Sequence, residues 1–344
     1  VTSGDATFRT LTASSPAVAL PPAPQDEVVK TSVVVTGTKH DVAPYIKIFT
    51  VAGKPLKTFF AYSSFFRGGV NVAVGDVTGD GNDEIVTAPG PGGPPTVRIF
   101  DMNGRTLRKD FAAFPGLFRN GVNITLVDVD GDRKKEIVAA PMSGAPQLRV
   151  FGLRNGRFVL IMPSVFAFAR TMQSGITLGG SDLDADGFQE VLATPGAGGP
   201  PLVRVFGIRN RILRQIMADA LIGPATSRAG MSIVGATVAT GVPGVASVSS
   251  DGSSLVRWFV RNGQGKLVRA AETFLAFHPD FQGGAALAGC DLNADGPAEL
   301  LAAVAGGGNP LVRIFDTKGK MAFPEFYAFP KTMKDGLTIA CGQK

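Results

Sequence analysis

One short strand pattern recurs six times in this chain and constrains its fold more than any other feature. It reads YIKIF (45–49), TVRIF (96–100), QLRVF (147–151), LVRVF (202–206), LVRWF (255–259) and LVRIF (311–315). The repeat is roughly fifty residues long, so each copy is a small structural unit that must stack on its neighbours to bury an apolar face.

The rest of the unit repeats with it. A Gly-led apolar strand precedes each copy, beginning at Gly69, Gly121, Gly175, Gly230, Gly284 and Gly336. An aromatic strand follows, seen as 59–62, 111–114, 166–168, 274–277 and 326–329, and the copy near 218–221 has lost its aromatics. Between the Gly-led strand and the VRIF-like strand lie the segments EIVTAP, EIVAAP, EVLATP and ELLAAV. Four short strands per unit, with turn residues between them and no helical period, describe one propeller blade. The predicted fold is all-β, a six-bladed β-propeller of four-stranded blades. A seven-bladed ring short of one copy is the structural alternative.

The chain ends supply the argument for closure. The last copy stops at Lys344 after its first strand, whereas the first VRIF-like strand is preceded by SVVVTG (32–37), whose Val34 and Val35 align with Ile85 and Val86 of the next unit. Blades are therefore expected at 69–114, 121–168, 175–220, 230–277 and 284–329, with the N- and C-terminal strands sharing a sixth built from 336–344 and 32–62. Such a join removes two exposed strand edges. Residues 1–31 lie outside the repeats and are rich in Pro, Ser, Thr and Ala, which reads as an extended N-terminal arm.

Four units carry a nine-residue acidic loop: DVTGDGNDE (76–84), DVDGDRKKE (128–136), DLDADGFQE (182–190) and DLNADGPAE (291–299). Oxygen donors at alternate positions, a turn glycine and a closing carboxylate suit a hard cation such as Ca²⁺. The loop is too short for an EF-hand. The fourth repeat has no carboxylate in 236–245, and Gln343 takes the first-ligand position of the last copy, so neither is expected to bind metal.

Loop, VRIF-like strand and Gly-led strand together resemble the FG-GAP and VCBS repeats of bacterial surface proteins and of the integrin α-subunit propeller. The resemblance implies an extracellular propeller with Ca²⁺ held between the first two strands of a blade. By that pattern the ligands are Asp76, Thr78, Asp80 and Glu84; Asp182, Asp184, Asp186 and Glu190; and Asp291, Asn293, Asp295 and Glu299, completed by the carbonyls of Asn82, Phe188 and Pro297. Loop 128–136 keeps Asp128, Asp130, Asp132 and Glu136, but Arg133 stands where the others have Gly and must take a backbone angle that disfavours a side chain. Three sites are expected to fill, with a fourth possible.

Several features have both a structural and a functional reading. Lys47, Arg98, Arg149, Arg204, Arg257 and Arg313 form a ring of basic positions. Pairing with carbonyls or with a strand carboxylate such as Glu84 is preferred to an acidic ligand. The recurring aromatics, with Phe66, Phe118, Phe281, Met172 and Met333 in the following loops, are expected to pack blade on blade rather than form a sugar platform. Trp258 is the only Trp and is weak support for a lectin. Cys290 and Cys341 sit one position out of register on adjacent innermost strands, so two buried thiols are preferred to a disulfide.

The formal net charge is +6, and three bound Ca²⁺ would raise it to about +12, enough to attract acidic polymers. No apolar run approaches the length of a membrane helix. His40 and His278 are the only histidines, and no nucleophile elbow or zinc spacing is present. The sequence reading is therefore not an enzyme. It is a Ca²⁺-stabilised extracellular or cell-surface structural protein that assembles with copies of itself through the arm, the alternative being an adhesin or lectin for carbohydrate or acidic polymer.

Overall fold

The computed structural model describes residues 30–239, 242–250 and 252–344. Among them every regular element is a β-strand, and these form six antiparallel sheets. The arm expected at 1–31 lies outside the described residues except for Lys30 and Thr31.

Blade one consists of Val70–Gly75, Glu84–Pro89, Thr96–Phe100 and Phe111–Ala112, hydrogen-bonded in that order. Blade two runs from Val122–Val127 through Glu136–Pro141 and Gln147–Arg154 to Arg157–Leu160, blade three from Ile176–Ser181 through Glu190–Pro195 and Leu202–Arg209 to Ile212–Gln215. Blade four holds Met231–Ala239, Val242–Ser249, Leu255–Arg261 and Leu267–Leu275; blade five holds Ala285–Cys290, Glu299–Val304, Leu311–Phe315 and Met321–Tyr327. In blade six the innermost strand is Leu337–Gln343, which pairs with Ser32–Thr38, followed by Tyr45–Thr50 and Pro55–Phe60. Chain ends thus complete one blade, and the fold is the six-bladed propeller.

The aromatic strand departs from the sequence reading in blades two and three, where it is split. Asn155 and Gly156, both at positive φ, turn the third strand straight back into Arg157–Leu160, and the chain rejoins the third strand only at Val165–Phe166. Pro163 lies between the two pieces; it has no N–H to continue a ladder. Blade three repeats this with Ile212–Gln215 and Ala220–Leu221.

Burial follows position in the blade. The second strands Glu84–Pro89, Glu136–Pro141, Glu190–Pro195 and Glu299–Val304 are buried at every residue, as their near-continuous apolar runs require. Innermost strands mix buried and half-buried positions around the central channel. The core lies between blades: counting from each leading Gly, even positions of one innermost strand meet odd positions of the next. Ala73 packs with Val122, Ile124 and Leu126, and Ala286, Ala288 and Cys290 pack with Leu337, Ile339 and Cys341. Ala340 of blade six packs with Val70 and Val72 of blade one, which closes the ring.

That rule corrects the reading of the cysteines. Cys290 and Cys341 form a disulfide, with Cα atoms 6.1 Å apart. Their one-residue offset puts them on opposite strand faces, and in a ring of stacked blades opposite faces are the ones that meet.

The aromatics pack between blades. Phe59 lies against Phe100, Phe111 against Phe151, Phe274 against Phe315 and Phe326 against Phe49, each pair joining one blade to the next with ring centroids 4.9 to 5.0 Å apart. Trp258 is fully buried.

Candidate metal centre

Each acidic loop connects the innermost strand of its blade to the second strand, and its own backbone folds it. Asp76 accepts from the amides of Thr78 (3.1 Å) and Gly81 (2.8 Å), Asp128 from Gly131 (2.7 Å) and Arg133 (2.9 Å), Asp182 from Asp186 (3.2 Å) and Gly187 (3.1 Å), and Asp291 from Asp295 (3.2 Å) and Gly296 (3.0 Å). These turns place the loop's fourth and sixth residues at positive φ. Arg133 does so at φ 68°, and Ala185 and Ala294 do so at 57° and 60° where the other loops have glycine.

The closing glutamate points back under the loop. Glu84 accepts from the amides of Val77 (2.9 Å) and Thr78 (3.2 Å), and the Thr78 hydroxyl donates to its other oxygen at 3.2 Å. Glu136 accepts from Val129, Glu190 from Leu183 and Glu299 from Leu292. Burial, reinforced by the neighbouring aspartates and only partly offset by these amides, pushes the carboxyls of Glu84, Glu136 and Glu190 up to about 7 and raises that of Glu299.

The predicted ligands converge unevenly. Carboxylate oxygens of Asp76, Asp80 and Glu84, of Asp128, Asp130 and Glu136, and of Asp182, Asp184 and Glu190 lie within 4.8 Å of one another. The 128–136 loop, departing most from the sequence pattern, thus gathers its acids, although Lys134 reaches Asp132 at 2.8 Å and Arg154 reaches Asp130 at 3.7 Å. In the 291–299 loop the acids do not form such a group, and the Asn293 amide donates to Asp295 at 3.0 Å. Asn82 and Phe188 are exposed and Pro297 half-buried; the Phe188 ring lies against Gly131 of the preceding blade. A further group, His40, Asp41 and Asp335, was not signalled by the repeat because its members come from two different turns.

The donor set fits a hard divalent cation. All the converging atoms are oxygens, and Asp184 Oδ1 is buried with no hydrogen-bond partner. Among the described residues, neither Glu84 nor Glu190 has a basic side chain as hydrogen-bond or ion-pair partner. A cation held by Asp76, Asp80 and Glu84, or by Asp182, Asp184 and Glu190, would neutralise these groups.

The loops also meet across blade seams. The Lys135 amide donates to the Asp76 carbonyl and the Gln189 amide to the Asp128 carbonyl, both at 2.8 Å, and Ala298 donates to Thr237 at 3.2 Å. Gln343, at the would-be first-ligand position of blade six, donates its amide to Asp83 Oδ2 at 2.7 Å. In the degenerate blade, the carboxylate-free segment is drawn largely into Met231–Ala239 and Val242–Ser249.

Five of the six basic side chains bind carbonyls of the preceding blade, and none of them pairs with a second-strand glutamate such as Glu84. Arg98 donates to Ala61 (2.9 Å), Arg149 to Ala113 (3.1 Å), Arg204 to Ala167 (2.6 Å), Arg313 to Ala276 (3.1 Å) and Lys47 to Ala328 (3.1 Å). Each also lies over an aromatic ring of that blade: Tyr62, Phe114, Phe168, Phe277 and Phe329.

No protein-family model and no curated protein sequence matches this chain, so the resemblance to FG-GAP and VCBS repeats rests on its motifs. Solved structures do match. A Lactobacillus plantarum protein is 12% identical with a TM-score of 0.54, covering 91% of this chain and 99% of its own. The periplasmic gluconolactonase of Pseudomonas aeruginosa is 15% identical with a TM-score of 0.54, covering 90% of this chain and 85% of its own. At these identities the likeness is one of fold. It nonetheless corrects the expectation that the chain is not an enzyme, because the same propeller serves as the frame of one, and the lack of a recognisable catalytic motif is no ground for excluding catalysis. No helix of the described residues is long and apolar enough to cross a membrane.

Proposed function

We propose that this is a secreted or periplasmic propeller whose acidic loops take up Ca²⁺ and thereby lock neighbouring blades together. The observation that carries the reading is the convergence, in three consecutive blades, of two aspartates on a buried glutamate whose carboxyl is raised by burial. Two of the seams between these blades are hydrogen-bonded through the first loop residue, Asp76 or Asp128. Ordering a loop therefore also orders the joint with the next blade.

The Cys290–Cys341 disulfide supports an oxidising compartment. Assembly through the 1–31 arm has no support among the described residues and is not part of the proposal. The reading assigns no reaction; lactone hydrolysis by the calcium-loaded protein is the first activity to assay, given the shared fold.

The test is thermal melting in millimolar Ca²⁺ and in chelator, with bound metal counted by atomic emission. At a calcium concentration ten times the dissociation constant, each site adds ~1.4 kcal/mol. Three ions per chain and a higher melting temperature are expected. An unchanged melting temperature, or protein that retains no calcium, overturns the reading.

A further inference from the structure

Arg257 is the exception in the basic ring, and the exception has a structural cause. Two of its partners in the repeat pattern would come from blade three and one from its own blade, and each is occupied or replaced. The carbonyl it should reach, Ile222, accepts instead from Ser247 Oγ at 2.8 Å. The aromatic ring it should lie over is Gly223, by alignment with Phe114 and Phe277. A carboxylate in the outer strand or immediately before it binds Arg98, Arg204 and Arg313, through Asp110, Asp219 and Glu325. In blade four Thr273 holds the position of Asp110 and Glu325, directly across from Arg257 in register. Among the described residues the Arg257 guanidinium makes one hydrogen bond, to the Leu255 carbonyl of its own strand at 3.3 Å.

The same drift opened a space. Where blades one, four, five and six place a phenylalanine against the third strand of the next blade, blade three has Ala220. The ring that would have met it, Phe259, now forms part of a cleft of about 380 Å³ between blades three and four, together with Arg257, Lys266, Arg269, Leu221 and Pro224. Arg269 stands directly opposite Phe259 in the sheet. The one carboxylate in the lining, Asp219, is taken by Arg204 at 2.6 Å and by the Gln215 amide at 3.0 Å. Three cationic side chains therefore face an apolar floor with no free counter-charge in the lining.

We propose that this cleft binds a small organic carboxylate, its apolar or aromatic body filling the volume of the missing phenylalanine and its head group held by Arg257, with Arg269 and Lys266 at the rim. Guanidinium groups match carboxylate geometry, and an anion here relieves the mutual repulsion of two adjacent arginines. Burial and then the Arg269 charge lower the Arg257 guanidinium from its ordinary value, in keeping with a cation that lacks an anionic partner. The proposal is independent of the calcium reading, since no acidic loop residue lines the cleft.

The experiment is calorimetric titration of calcium-loaded full-length protein with phenylacetate, benzyl alcohol and inorganic phosphate, repeated on Arg257→Gln and Ala220→Phe. Phenylacetate is expected to bind, with benzyl alcohol and phosphate each at least tenfold weaker. Both variants should bind phenylacetate at least tenfold more weakly: the first loses the head-group contact and the second fills the cleft while restoring the repeat's own packing. Absence of phenylacetate binding, binding unchanged in Ala220→Phe, or phosphate bound as tightly as phenylacetate overturns the assignment. Should Arg257→Gln fail to fold, Ala220→Phe and the neutral probe still decide it.

Discussion

Cys290 and Cys341 occupy one of six equivalent contacts between neighbouring innermost strands. At the other five, Gly75 faces Leu126, Val127 faces Gly180, Ser181 faces Gly235, Ala236 faces Gly289, and Gly342 faces Val74. Five joints are made close by a glycine, and the sixth is made by a covalent bond. The disulfide spans 51 residues of chain. Replacing both cysteines by serine is expected to cost roughly 2–4 kcal/mol, read as a lower urea midpoint. A reductant should lower the wild-type midpoint by a similar amount and leave the variant unchanged; equal midpoints for all samples would show that the bond contributes nothing.

The buried glutamates make stability depend on pH in a direction set by calcium. In chelator, Glu84, Glu136 and Glu190 hold protons in the folded chain up to about 7, above their unfolded value of 4.5. The folded state then binds more protons than the unfolded state, and stability falls as pH rises from about 4.5 to 7. Calcium binds the ionised form, so the gap between the calcium and chelator melting curves should widen across the same window. A gap independent of pH would exclude the glutamates as ligands.

A neutral isostere separates the two roles of Glu84. In chelator at pH 8, Glu84→Gln removes a buried charge and is expected to raise the melting temperature; in calcium it removes a ligand and is expected to lower it. A shift of the same sign in both buffers would mean that Glu84 is structural only.

Glycine is required at Gly69 for two reasons and at Gly187 for one. Both have positive φ, 79° and 88°, but a Cβ at Gly69 would lie 1.0 Å from the Lys39 carbonyl oxygen, whereas none of the surrounding atoms comes within 4 Å at Gly187. Gly187→Ala should cost about 1–2 kcal/mol. Gly69→Ala should cost about 4 kcal/mol or more, in the range reserved for backbone clashes. Equal losses in denaturant unfolding would contradict the close approach.

Arg98 and Arg257 hold the same position in the repeat and should respond differently. Arg98→Gln gives up the bonds to Ala61 and Asp110 and is expected to cost about 2–3 kcal/mol. Arg257→Gln breaks no hydrogen bond or ion pair between blades and should stay within about 0.5 kcal/mol. A large loss at Arg257 would mean that it supports the seam after all.

The ring was legible because each strand of the repeat carries its own signature: the leading glycine, the buried second strand, the basic residue flanked by apolar ones, and the phenylalanine. What escaped the sequence reading depends on how one repeat faces the next. Counting faces along Ala285–Cys290 and Leu337–Gln343 separately puts the cysteines apart; only the stacking of blades puts opposite faces together. The cleft beside Arg257 is written in absences, at Ala220, Gly223, Ser247 and Thr273, and each alone reads as drift. In the loops, spacing identified the acids but could not show that Asn293 bonds to Asp295, or that Arg133 adopts the turn and leaves Asp128, Asp130 and Glu136 together.

Thr31 and Lys344 exchange a pair of backbone hydrogen bonds, each 2.9 Å, just beyond the register that runs from Ser32 with Gln343 to Thr38 with Leu337. A tension drawn between these two residues therefore meets the closing strands from one end and parts their bonds in succession, as a zipper does, instead of loading all of them in shear. Under such a load the ring opens at the seam where Ser32–Thr38 and Leu337–Gln343 meet.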